Sequence, residues 1–175
     1  NMMPGAWIQR CATTGSVTIQ SDYQGYVGFS GMVGFANPPK EANVSNSSEY
    51  KGTIEDSYST VVFTNNTQSS ASFYGMGPGV QVLKNCFFAG SFKGKVNKEI
   101  SQPLARMSTA NENMESCYFD SLKISTLPAN AQGEKVPTYK MRSQETFKGW
   151  DFGQIWKMGD DHPVLNTGYT ILKIG

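Results

Sequence analysis

Four aspartates and one histidine could do chemistry by their type and spacing. Asp151, Asp160 and Asp161 gather near the C-terminal end beside His162, the single histidine, and Asp120 stands upstream. Carboxylates that face each other across a groove serve as acid and base in glycosidases, a reaction class that parallel β-helices host together with lyases. His162 lies between Asp161 and Pro163 and has the look of a His–carboxylate pair. Catalysis by such a pair needs a nucleophile and an oxyanion pocket, and the sequence shows neither. Each residue also has a plainer use. Asp151 sits inside an aromatic run, where a carboxylate caps backbone donors. Asp160-Asp161 reads as a turn, with weak calcium binding as the alternative. His162 is expected as a packed or half-exposed ring. No catalytic, cofactor-binding or metal-binding residue is assigned. The expectation is a non-enzymatic protein, with a polysaccharide-active enzyme as an alternative.

The cysteines come next. Cys11, Cys86 and Cys117 form an odd set of three. In an extracellular chain an odd count suggests one disulfide and a spare thiol. The three occupy equivalent places in an internal repeat, which favours an inward-facing ladder of small apolar thiols. If Cys86 and Cys117 lie on adjacent coils, a bond between them is geometrically possible. There is no Cys-x-x-Cys pair, so a zinc site is not expected. Tyr23, Tyr26, Tyr50, Tyr58 and Tyr74 offer either a carbohydrate-stacking surface or filling for a coil interior, and the sequence leaves both open.

The elements that must position these residues repeat along the chain. Ile8-x-x-Cys11, Ile54-x-x-Ser57, Leu83-x-x-Cys86 and Met114-x-x-Cys117 share one pattern, followed in three cases by a ring: Tyr58, Phe87 and Tyr118. Successive Cys/Ser positions are 46, 29 and 31 residues apart. Unequal loops are tolerated where only the strands must keep register, because closure entropy grows slowly with loop length. Phe29-Ser-Gly31-Met32 and Phe73-Tyr-Gly75-Met76 recur between these units. The glycines there let neighbouring backbones approach. No Lys-Ser/Thr follows the glycine-rich run, so a phosphate loop does not fit. Val17 and Ile19 alternate with Ser16 and Thr18, as in a half-buried strand. Pro38 to Glu49 reads as a loop leaving the stack.

Near the end, Phe147-Lys-Gly-Trp150-Asp151-Phe152-Gly-Gln-Ile155-Trp156-Lys-Met158 concentrates aromatic residues. Such a run is expected to cover something, since each ring gains most by burying a large area. Pro163 can open a short strand. Upstream, Pro128 to Pro137 reads as a polar loop. Thr138 is placed to cap a short helix at Tyr139–Glu145 with Met141 and Glu145 on one face. That helix and Trp150/Trp156 would make a lid. The tail Tyr169–Ile174 is strand-like and could pair with the stack or with a neighbouring subunit.

The pattern F-x-G-W-D-F-x-x-I-W-x-(M/I)…(H/Y)-P-V-L, read over Phe147–Leu165, resembles the closing segment of bacterial surface proteins built from GLUG repeats. Gly31-Met32-Val33-Gly34 is similar to that family's G-L-x-G signature, with Met for Leu. Leu83-Lys-Asn85-Cys86-Phe87-Phe-Ala-Gly90 is similar to its I-x-N-C-Y-x-x-G. The family's proteins are parallel β-solenoids found in adhesin-like proteins and some secreted peptidase precursors. The resemblance implies an extracellular or cell-surface location and a role in adhesion, in carbohydrate or host-surface binding, or as a stalk. It also implies a short helix ahead of the tryptophan segment.

Size and composition agree with this class. At 175 residues the chain is one domain by length. Charged residues make up 17%, with 18 glycines and no long helical pattern, which favours an all-β protein. A net charge of +1 with scattered Lys and Arg argues against nucleic acid. No run reaches the length of a membrane-spanning helix, so membrane insertion is not expected, and no signal peptide is visible. Asn43, Asn46 and Asn65 head glycosylation tripeptides, which arise by chance in an Asn/Ser/Thr-rich chain. The expected fold is all-β: a short, right-handed parallel β-helix (β-solenoid) of four coils over residues 1–127. Residues 128–175 are expected to close its C-terminal end as a helix-plus-tryptophan cap. An alternative function is a structural subunit of an extracellular fibre, self-associating through open solenoid edges.

Overall fold

The computed structural model describes residues 6–22, 27–34, 52–106, 113–124 and 126–166. It is all-β, and nearly all of its strand pairs are parallel. The first ladder runs Trp7–Gln9, Thr53–Glu55, Val82–Lys84 and Met114–Glu115, in that spatial order. Its register pairs Ile8 with Ile54, Ile54 with Leu83 and Leu83 with Met114. Those are the four apolar positions that open the sequence repeat.

The second ladder follows each strand of the first after a corner. It contains Ala12–Thr13, Tyr58–Ser59, Phe87–Phe88, Tyr118–Asp120 and Glu134–Val136. A third ladder joins Ser16–Ile19, Val62–Asn65 and Ser91–Gly94. Gly28–Ser30 pairs with Ser72–Tyr74, placing Phe29 on Phe73, and Gly77–Pro78 pairs with Ala105–Arg106. Stacked parallel ladders of this kind are consistent with a β-solenoid.

The corner between the first two ladders is the same in every rung. Arg10, Asp56, Asn85 and Ser116 all adopt left-handed backbone, with φ of 52°, 47°, 49° and 50°. The next residue, Cys11, Ser57, Cys86 or Cys117, turns its side chain back and donates to the carbonyl two positions earlier. Asn and Asp tolerate this conformation better than Arg or Ser. Two of the four corners therefore carry residues suited to them, and the Asn85 amide also donates to the Asp56 carboxylate at 3.1 Å.

Ile54, Phe63, Phe73, Leu83, Phe88, Phe92 and Phe119 fill the space between ladders. Phe63 stacks on Phe73 at 5.1 Å between ring centroids. Glycine is required where rungs come closest. A Cβ on Gly31 would lie 2.2 Å from the Gly75 carbonyl oxygen, and one on Gly75 would lie 1.8 Å from that of Pro103.

Several expectations need correction. No α-helix forms at Tyr139–Glu145. Single turns close at Lys140 and Met141 on the Pro137 carbonyl, and a 3-10 helix spans Gln144–Thr146. Thr138 does not cap it, because its hydroxyl is held by Asp120 at 2.8 and 2.9 Å. A segment this short has no stable nucleus of its own, so the tertiary bond decides its path. The helix-plus-tryptophan cap is therefore absent as a helix. The expected polar loop also contains a strand, since Glu134–Val136 extends the second ladder beyond residue 127. The Pro38–Glu49 loop, Tyr23, Tyr26, Tyr50, Asn43, Asn46 and the Tyr169–Ile174 tail lie outside the described residues.

Candidate functional site

The tryptophan segment covers the flank of the second ladder. Register stacks Tyr58, Phe87 and Tyr118 in one column on its outer face. Tyr58 and Phe87 lie 4.8 Å apart and 3° from parallel. Onto this column fold Phe147, Trp150 and Trp156, joined by Val136, Met141 and Leu165. Trp150 and Trp156 stack on each other at 4.3 Å. The Trp150 indole N–H donates to the Ser116 carbonyl at 3.0 Å, which ties the segment to the last Cys-bearing corner. Trp156–Met158 and Pro163–Leu165 close the segment as an antiparallel pair, so Pro163 does open a short strand. Rings from three successive rungs are covered at once.

The candidate acids are dispersed among structural tasks. Asp151 is exposed and accepts the backbone N–H groups of Gly153 and Gln154, both at 2.9 Å. Asp161 pairs with Arg142 on the surface. Asp120 is buried, bound by the Thr138 hydroxyl and the Leu122 N–H, with Lys123 at 3.8 Å. Asp160 is exposed, and no cluster of three potential metal ligands occurs among the described residues. His162 is half-buried, its ring 5.2 Å from Phe87 and 5.5 Å from Tyr58. Its Nδ1 lies 2.8 Å from the Pro163 carbonyl. It serves as one more ring over the column, the packed role that its position before Pro163 suggested.

Burial sets the chemistry of the column. It raises the hydroxyl pKa of Tyr58, and it raises that of Tyr118, where the nearby Glu134 charge adds to the effect. Neither Tyr58 nor Tyr74 offers an exposed stacking face, because both are buried. The sequon at Asn65 is likewise occupied by structure. Its amide nitrogen donates to the Ser69 and Lys95 carbonyls at 2.7 and 2.8 Å, and the residue is buried. A glycan on that nitrogen is incompatible with both bonds.

The Cys/Ser positions line up as a column, with Tyr58 N–H on the Cys11 carbonyl, Phe87 N–H on that of Ser57 and Tyr118 N–H on that of Cys86. Cys86 and Cys117 are buried, as expected for an inward-facing ladder. Cys11 is exposed, which corrects the reading of all three as equivalent. It sits in the first described rung, whose outer edge no described strand covers.

One surface feature went unread in the sequence. An open groove of about 520 Å³ runs beside the tryptophan segment, lined by Gln144, Glu145, Phe147, Lys148, Gly149, Trp150 and Phe152. A second, of about 370 Å³, shares Glu145 and Lys148 and adds Lys135 and Lys140. The aromatic run was the available signal. Which side of each ring would face solvent depends on docking.

These features define a class: an all-β protein of stacked parallel ladders with an aromatic segment docked along one flank. No protein-family model matches the chain, and no curated protein or solved structure matches it. Among the described residues, no helix is long and apolar enough to cross a membrane.

Proposed function

We propose that the chain is a non-enzymatic module of an extracellular or cell-surface protein. In this reading the ladders form a short right-handed parallel β-solenoid that presents a carbohydrate or host-surface ligand site, or acts as a stalk segment. The observation that carries it is the flank groove, where the half-buried Phe152 lines the same opening as Gln144, Glu145 and Lys148, with the buried Trp150 behind it. Aromatic edges beside hydrogen-bonding groups suit a sugar, whose ring has an apolar face and a polar rim. The resemblance to GLUG-repeat surface proteins supports the same class. The commitment of Asp120, Asp151 and Asp161 to structural bonds disfavours the polysaccharide-active alternative. A glycan array with the wild-type chain and the Phe152→Ala variant tests the reading. Binding that the variant loses is expected, binding unaffected by it would move the site elsewhere, and release of products from a polysaccharide would reinstate the enzyme.

A second reading is a fibre subunit that self-associates through its first rung. It is favoured by the outer edges of Trp7–Gln9, Ala12–Thr13 and Ser16–Ile19, which no other described strand pairs, together with the exposed Trp7. Open strand edges template further pairing. The native mass by light scattering separates the two: a monomer supports the ligand-binding module, and filaments or a defined oligomer support the fibre.

A further inference from the structure

The column of corner side chains reads Cys11, Ser57, Cys86 and Cys117, so only one pair of thiols occupies neighbouring rungs. We infer that Cys86 and Cys117 are a cross-rung disulfide site, closed when the chain folds in the presence of a small-molecule disulfide, and that Cys11 remains a thiol. The geometry comes from the ladder. Phe87 pairs with Tyr118, the residues directly after the two cysteines, and Tyr118 N–H binds the Cys86 carbonyl at 2.9 Å. Neighbouring strands lie about 4.8 Å apart, within the roughly 4.4–6.8 Å between Cα atoms that a disulfide spans. The two side chains emerge from identical corners, each turned back on the carbonyl two residues earlier. Both thiols are buried and free, and no residue stands between them along the column. Cys11 has no such neighbour, because the next rung carries Ser57, whose hydroxyl accepts the Cys11 N–H at 3.0 Å.

The exchange balances without any group from the protein beyond the two thiols. The Cys117 thiolate attacks glutathione disulfide, forming a mixed disulfide and releasing one glutathione thiolate. The Cys86 thiolate then attacks the Cys117 sulfur, the mixed bond breaks, and the second glutathione leaves. The protein loses two electrons and two protons, and glutathione disulfide becomes two glutathione thiols. Burial raises the Cys86 thiol well above its ordinary pKa, with the contact to Cys117 adding to the effect. Once the stack has closed, both thiolate supply and access are poor, so the bond belongs to folding rather than to the finished protein. The site is independent of the ligand-binding reading and stands or falls without it.

The test is to refold the full, reduced chain from denaturant in a glutathione/glutathione disulfide buffer. The product is then alkylated with iodoacetamide under denaturing conditions, and intact and peptide masses are read. One alkylated thiol, at Cys11, and a peptide joining Cys86 to Cys117 are expected. The Cys11→Ser variant should give the same linked peptide and no alkylated thiol. A melting midpoint about 5 °C above that of the reduced chain should accompany the bond. Three alkylated thiols after refolding, or a linked peptide containing Cys11 in place of one of the pair, would overturn the assignment.

Discussion

Phe87 and Phe88 are adjacent in the chain and belong to different layers. Phe88 points into the stack beside Phe92 and Phe119, and Phe87 points outward into the column of Tyr58 and Tyr118. Strand geometry sends successive side chains to opposite faces, so one dipeptide feeds both. The inner layer is built by the rungs themselves, each bringing apolar residues that the next rung buries. The outer layer is not self-sufficient. Its rings would form an exposed apolar strip unless a segment from outside the repeat covered them. The interior is thus a product of periodicity, and the flank is a product of one non-repeating stretch.

The comparison can be broken by removing one ring from each layer. Phe88→Ala leaves a cavity where three ladders meet and should cost about 5 kcal/mol in urea unfolding. Trp150→Ala removes the ring that joins the segment to Ser116 and Phe87, and should cost about 4 kcal/mol. An unchanged melting transition in the second variant would mean that the segment does not hold the flank.

Alkaline titration sharpens the same contrast. Tyr58 and Tyr118 have folded pKa values raised above the ordinary 10.0, and Cys86 one raised above 9.0, with burial the leading cause in each. The folded state holds these protons more tightly than the unfolded chain. Their contribution is complete below the unfolded values and is lost as pH rises through the folded ones. Thermal stability should therefore fall from about pH 9 upward, and the phenolate absorbance should rise in step with unfolding. A flat stability profile past pH 11 would contradict the buried column.

Smaller effects probe the corners. Ser57 donates to the Glu55 carbonyl at 2.7 Å and accepts the Cys11 N–H at 3.0 Å. Ser57→Ala removes the partner of the Cys11 N–H and leaves the Glu55 carbonyl with the Arg10 N–H alone, and should cost about 1 kcal/mol in denaturant unfolding. Ser57→Cys, which matches the other rungs, should cost less than half as much. Ser116 holds φ of 50° without the amide that suits Asn85. Ser116→Gly should leave stability level or raise it by about 0.5 kcal/mol, and a loss above about 1 kcal/mol would show that its side chain has another task.

Much of this architecture was legible because the repeat carries register. Ile8, Ile54, Leu83 and Met114 could be aligned by eye and do pair in that order, and Phe29 does meet Phe73. The left-handed corners were not legible, since Arg10 and Ser116 carry no local preference for them. The exposure of Cys11 was equally hidden: it follows from the rung's place in the stack and not from its pattern.

The sequence by itself determined the spacing of rungs, the apolar inner face and the concentration of rings in one closing stretch, because those follow from side-chain types at fixed intervals. Only the tertiary structure decided where that stretch goes. Thr138 reaches Asp120 instead of capping a helix, Glu134–Val136 joins the second ladder instead of looping, and Trp150 lies against the rings of Phe87 and Tyr118. Each choice weighs a weak local preference against a long-range contact. Burying several large rings outweighs the roughly 1 kcal/mol that a cap on a short helical turn can offer.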